Sequence, residues 1–143
     1  GSNGMQIARS IAMLTYRSHR CFNSFQDGKM QDSHEFKSIS YLNYHGNKLQ
    51  QRFNAYSYYF LSLSMDSHNV SSATTTIEKV LENINTPCLI ISMTDDLLFP
   101  QEEQAFMATY IPYAQHHVID TVYGHDGFLI HHDIISDLIQ KWL

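Results

Sequence analysis

Apolar residues recur along this chain mainly at helical spacing, and the point where short apolar runs begin to alternate with helices divides it. Over residues 5–17, Ile7, Ile11 and Leu14 stand at helical spacing with Ala8, Ala12 and Met13 beside them. That spacing predicts a helix whose polar exceptions are Arg9 and Tyr16. From Cys21 to Gln31 the pattern dissolves into Asn, Ser, Asp and Gly, which reads as a surface connection turning at Gly28. Ser33, Phe36, Ile39 and Leu42 predict a short helix with Gly46 as its stop. Phe53, Tyr56, Tyr59, Phe60 and Leu63 then recur at three- and four-residue steps, an aromatic stripe suited to a core or to a partner surface.

After the Ser-, Ala- and Thr-rich stretch at 71–76, helices alone give way to alternating helix and strand. Ile77, Val80, Leu81 and Ile84 have helical spacing, and Pro87 precedes Cys88-Leu89-Ile90-Ile91, a run apolar on both faces as in a buried parallel strand. Pro100 opens a further helix with Glu102 and Glu103 in its first turn, where negative charge favours the helix dipole, and Ile111-Pro112 ends it. A strand is predicted over 116–122. A closing helix over 131–143 carries Ile134, Ile135, Leu138, Ile139 and Trp142 on one face. This succession over 77–143 is that of the final units of a doubly wound α/β sheet, in which functional side chains sit at the carboxyl ends of the strands. The organisation expected is a linker or cloning remnant at 1–4, a helical subdomain at 5–72 and an α/β part at 73–143.

Composition narrows the function classes. With 43% apolar and 16% charged residues the chain reads as globular, and 13% aromatic residues point to filled cores or interfaces. A formal charge of −5 offers no basic field for a nucleic-acid backbone or an anionic membrane, so neither partner is expected. No apolar stretch reaches the roughly 18 residues needed to span a bilayer, and no basic and apolar leader opens the chain. Cys21 and Cys88 fit neither a CxxC pair nor a disulfide framework, and unpaired thiols in a reducing cytoplasm are the simplest reading. The pairs His116-His117 and His131-His132 lack an accompanying ligand framework and diverge as neighbours, so no metal is expected.

The candidate chemistry lies at the predicted strand ends. Thr94-Asp95-Asp96-Leu97-Leu98-Phe99-Pro100 closes one strand and Tyr123-Gly124-His125-Asp126-Gly127 follows the other. A carboxylate that accepts a hydrogen bond from one imidazole nitrogen fixes the tautomer and leaves the second nitrogen to take a proton from a serine hydroxyl. Without that pairing, Asp96 is a helix-capping residue and His125 merely follows a turn glycine. Asp95 and Asp96 point apart as neighbours, so only one can serve; Asp96, beside the apolar Leu97-Leu98-Phe99 anchor, is favoured. No Gly-x-Ser-x-Gly elbow occurs in the sequence, and Ser2 in the first residues has neither the preceding strand nor the spacing of one.

Several runs, in order, carry a family resemblance: Ala8-Arg9-Ser10-Ile11-Ala12-Met13-Leu14-Thr15-Tyr16-Arg17-Ser18, Ser40-Tyr41-Leu42 with Gly46, Arg52-Phe53-Asn54-Ala55, Asp95-Asp96-Leu97-Leu98-Phe99-Pro100 and Tyr123-Gly124-His125-Asp126. The chain resembles the C-terminal part, less than half, of the homoserine O-acetyltransferase family. The resemblance implies the C-terminal part of an α/β-hydrolase fold with an inserted helical lid at 5–72. It assigns Asp96 and His125 to the last two members of a Ser, Asp, His triad, with Asp95 standing where the family commonly has Ser. It also makes Arg9 a contact of the homoserine substrate and Asp126 the acceptor of its amine. A guanidinium fork suits an α-carboxylate and a carboxylate suits an ammonium. Tyr16, two turns on from Arg9 on roughly the same helix face, is a further candidate for that pocket.

The activity implied is acetyl transfer from acetyl-CoA to the hydroxyl of L-homoserine through an acyl-serine, a step of methionine biosynthesis. Acetyl-CoA is then a co-substrate, with no resident cofactor, and a cytoplasmic homodimer joined through lid helices is expected. Nucleophile and oxyanion hole are expected upstream, which leaves this chain inert by itself. A homoserine O-succinyltransferase or a related esterase shares Asp96 and His125, and a non-catalytic helical interaction module is the reading from another class.

Overall fold

The computed structural model describes residues 1–31 and 33–143, and of Ser2 the backbone alone, so the Ser2 hydroxyl set aside above lies outside the described residues. The chain forms two compact units, residues 1–15 with 19–68, and residues 16–18 with 69–143. Among the described residues no helix is long and apolar enough to cross a membrane.

The first unit is helical: α1 (Ser2–Thr15), α2 (His19–Gln26), α3 (Lys37–Arg52) and α4 (Ala55–Asp66). Ser2, Asn3 and Gly4 are helical and belong to α1. This helix buries Met5 and Met13 and turns the predicted apolar stripe outward, with Ile7 61% and Ile11 58% exposed. α1 packs instead through Met5 and Met13, with Gln6 and Ser10 against α3. Gly46 lies within α3, where a Cβ would meet Gln6 Cγ at 2.6 Å and the Gln6 carbonyl oxygen at 2.9 Å. Gly46 is therefore a close-packing position for α1 and not the predicted helix stop, and Ser10 Oγ donates across the same contact to the Leu42 carbonyl at 3.2 Å.

The stretch read as a surface connection holds α2, which buries Cys21 and sets Phe22 edge-on to Tyr41 with ring centroids 6.0 Å apart. Its turn at Gly28 has φ 79°, the left-handed conformation that glycine adopts without a steric cost. Asn54 caps α4, its Oδ1 accepting from the Tyr56 and Ser57 amides at 2.9 and 3.4 Å. The aromatic stripe does not enter a core: Tyr56 is 77% exposed, with Tyr59 and Phe60 also exposed.

The second unit alternates as the sequence predicts: α5 (Ile77–Glu82), β1 (Cys88–Met93), α6 (Gln101–Tyr110), β2 (Ala114–Ile119), a 3-10 turn (Gly124–Asp126), α7 (Gly127–Ile130) and α8 (His132–Trp142). β1 and β2 form a two-stranded parallel sheet in register from Cys88 opposite Ala114 to Met93 opposite Ile119. α6 makes the crossover, its start set by Pro100 with Glu102 and Glu103 following. Leu81, Met93, Ile111 and Ile119 form the buried apolar core of this unit. The run Cys88–Ile91 is only half-buried, because two strands cover one another's edges and little of their faces. In α8, Ile135, Leu138 and Trp142 are half-buried while Ile134 and Ile139 of the predicted face are exposed.

Candidate active site

Parallel pairing brings the carboxyl ends of β1 and β2 to one edge, and a threonine clasp extends the ladder beyond them. The Thr94 amide donates to the Ile119 carbonyl at 3.0 Å. Thr94 Oγ1 accepts from the Thr121 amide at 2.7 Å, and its hydroxyl faces both the Thr121 carbonyl at 2.9 Å and Asp120 Oδ1 at 3.0 Å. Asp95 (φ 60°) and Gly124 (φ 63°), both left-handed, then turn the two segments so that Asp96 and His125 face each other. Aspartate tolerates this conformation better than most residues, because its short side chain can bond locally.

His125 Nδ1 stands 3.0 Å from Asp96 Oδ2. The other carboxylate oxygen accepts from the Leu98 and Phe99 amides at 2.8 and 3.0 Å, which fixes the acid's orientation. The Asp96 side chain is only 6% exposed and that of His125 19%. A carboxylate only accepts, so Nδ1 carries the proton and Nε2 is the basic nitrogen. Three rings, of Tyr16, Phe99 and Phe128, surround the imidazole, each with its centroid 5.4 Å from it. A cavity of about 360 Å³ opens beside the pair, walled by Met93, Phe99, Met107 and Phe128, with Gln104 as a further polar group.

Residues 16–18, although they follow α1 in sequence, are bound to the histidine turn. The Asp126 amide donates to the Tyr16 carbonyl at 3.0 Å, Arg17 Nε donates to Asp126 Oδ2 at 3.0 Å, and the Ser18 hydroxyl donates to the Val122 carbonyl. Gly124 is required at their meeting point, since a Cβ there would lie 2.9 Å from the Ser18 nitrogen and 3.0 Å from the Asp95 carbonyl oxygen.

The structure thus brings together Asp96, His125, Tyr16 and Asp126. It gives the histidine to Asp96 and leaves Asp95 exposed on the turn. Arg9 lies half-buried on α1 in the first unit. Sequence reasoning assigned no role to Arg17, Thr94 or Thr121. Arg17 and Thr121 bond across large sequence separations and have no local signature, whereas Thr94, at the end of an apolar strand, had a readable position. His116 and His131 are occupied with hydroxyls, His116 Nε2 lying 2.7 Å from the buried Ser92 Oγ and His131 Nε2 2.9 Å from Thr121 Oγ1. Among the described residues no three His, Cys, Asp or Glu side chains gather to hold a metal.

A carboxylate–imidazole pair at the carboxyl ends of adjacent parallel strands, joined by a helical crossover, is an α/β arrangement with its candidate site at the strand ends. The solved structures agree: homoserine O-acetyltransferase from Bacillus anthracis superposes with a TM-score of 0.85 at 15% identity, over 99% of this chain and 41% of that one. The enzyme of the same name from Staphylococcus aureus gives 0.72 at 30% identity, over 93% of this chain and 38% of its own. In sequence, the homoserine O-acetyltransferase of Cyclobacterium marinum is 36% identical over 142 residues, 99% of this chain and 40% of that protein. No protein-family model matches. The chain is therefore a homologue, along its whole length, of a segment of the homoserine O-acetyltransferases. It spans about two-fifths of the length of the curated relatives it matches.

Proposed function

We propose that this chain supplies the general base and its orienting acid to an acyltransferase that moves an acetyl group from acetyl-CoA to the hydroxyl of L-homoserine. The observation that carries the reading is the Asp96–His125 pair, set beside a cavity in a chain homologous to enzymes of that name. In the first half-reaction a serine hydroxyl from outside this chain attacks the thioester carbonyl while His125 Nε2 takes its proton. The imidazolium then protonates the departing thiolate, leaving an acyl-serine. In the second, the homoserine hydroxyl gives its proton to His125 as it attacks the acyl-serine, and the imidazolium returns a proton to the serine. Asp96 stabilises the imidazolium in both steps and holds the tautomer throughout.

Asp126 takes the substrate ammonium in this reading and Tyr16 lines the pocket, while the family resemblance assigns the α-carboxylate to Arg9. The ring contacts of His125 support a site that excludes water and so strengthens the charge interactions within it. The first unit is the helical lid of this enzyme, and the exposed Tyr56, Tyr59 and Phe60 of α4 support a homodimer contact there.

Steady-state assays of the full-length protein carrying this segment, with acetyl-CoA, succinyl-CoA and simple esters as donors and homoserine as acceptor, test the reading. Acetyl transfer to homoserine is expected to exceed both alternatives, and ester hydrolysis or succinyl transfer as the dominant activity contradicts it. This chain alone is expected to be inert. Sedimentation as a monomer at high concentration contradicts the dimer.

A further inference from the structure

The contact between Arg17 and Asp126 has a chemical consequence for whatever cation Asp126 receives. Arg17 approaches through Nε, 3.0 Å from Asp126 Oδ2, with its side chain 27% exposed and that of Asp126 18%. Among the described residues no donor bonds the second oxygen, Oδ1. The Asp126 amide is meanwhile held by the Tyr16 carbonyl at 3.0 Å, so the backbone and one carboxylate oxygen are both tied to adjacent residues of the 16–18 segment. That segment is itself anchored by the Ser18 hydroxyl on the Val122 carbonyl and by the close approach of Gly124.

A carboxylate held in this way is no longer a free rotor. An Asp without a partner turns about its side-chain bonds and accepts cations from many directions, and a bound cation must then offset the ordering of the side chain. With Oδ2 occupied, Asp126 offers Oδ1 in one direction, beside His125 in sequence, for a compact donor. A primary ammonium with three donors fits this better than a planar guanidinium, which favours the two oxygens together.

We infer that Arg17 is a positioning residue for amine recognition: by occupying Oδ2 of Asp126 it presets Oδ1 as a single acceptor for the α-ammonium of an amino-acid acceptor substrate. This rests on the function proposed above and adds the residue that gives Asp126 its selectivity. Arg17 does not touch the reacting atoms, and its effect falls on discrimination between acceptors.

The test compares homoserine with 4-hydroxybutanoate, which keeps the hydroxyl and carboxylate and lacks the amine, in the full-length protein and its Arg17→Met and Arg17→Lys variants. In Arg17→Met the preference in kcat/KM for homoserine over 4-hydroxybutanoate is expected to fall about tenfold, mainly through a higher KM, as for the loss of one charge-assisted hydrogen bond. Arg17→Lys, which keeps the charge without the fixed guanidinium geometry, is expected to fall in between. Hydrolysis of an activated acetate ester, which needs no amine recognition, falls much less than transfer to homoserine. In an Asp126→Asn background Arg17→Met causes no further loss of preference. An unchanged preference in Arg17→Met and Arg17→Lys overturns the inference, as does a parallel fall in ester hydrolysis. A native protein that transfers acetyl groups without preferring the amine-bearing acceptor overturns the proposed function along with it, and is distinguished by that wild-type measurement.

Discussion

The α-carbon of Gly124 lies so close to Asp95 that a Cβ added to it would stand 3.0 Å from the Asp95 carbonyl oxygen. Both residues are left-handed, and their contact joins the turn that carries the acid to the turn that carries the histidine. Gly124→Ala is therefore expected to cost twice, about 1–2 kcal/mol for the left-handed backbone and more for backbone displacement at Asp95 and Ser18. In the full-length protein, thermal melting should show the destabilisation and steady-state kinetics a fall in kcat. A variant with native stability and kcat would show that the two turns are not held by this contact.

Thr94 and Thr121 tie the strands together just before those turns. Thr94→Val keeps the shape of the side chain and removes the hydroxyl that accepts the Thr121 amide at 2.7 Å, leaving that amide without its acceptor. The expected destabilisation is about 1–3 kcal/mol, and kcat should fall further than KM rises, because Asp96 and His125 lose their alignment. Thr94→Ser retains the hydroxyl and is expected to restore most of both. Chemical denaturation with parallel kinetics checks this, and equal effects of Val and Ser would remove the clasp from the account.

In the helical unit, Gly46→Ala reverses the usual sign of a glycine substitution. On an exposed helix face this change stabilises by about 1 kcal/mol. Here the new methyl group would sit 2.6 Å from Gln6 Cγ and 2.9 Å from the Gln6 carbonyl oxygen, so α1 and α3 must separate. A fall in melting temperature is expected, and a rise would show that the two helices yield without cost.

Much of the second unit was legible in the sequence because local signals there agree with the tertiary result. Cys88–Ile91 is apolar and follows a proline, Pro100 and two glutamates start α6, and the segments between have lengths that suit a crossover. The helical unit was less legible. α2, with Cys21 and Phe22 among polar residues, has too few apolar positions to show a period, and its packing makes it a helix. Gly46 has the residue type of a helix stop and the role of a contact point. The stripe at Ile7, Ile11 and Leu14 is a real apolar face, but periodicity cannot say which face the chain covers. At the site, residue types at strand ends marked Asp95, Asp96 and His125 as candidates, and the family resemblance selected Asp96 and His125. The link from Arg17 to Asp126 spans 109 residues and depends on three-dimensional approach alone.

The central claim, that Asp96 orients His125 as the general base, is tested most directly by kcat for acetyl transfer in Asp96→Asn and Asp95→Asn variants of the full-length protein. An amide at Asp96 donates where the carboxylate accepted and favours the wrong imidazole tautomer, so kcat is expected to fall by about 10⁴-fold with a much smaller change in KM. Asparagine adopts the left-handed backbone that Asp95 has, so Asp95→Asn is expected to change kcat by only a few-fold. A collapse of kcat in Asp95→Asn with near-native turnover in Asp96→Asn would contradict the account.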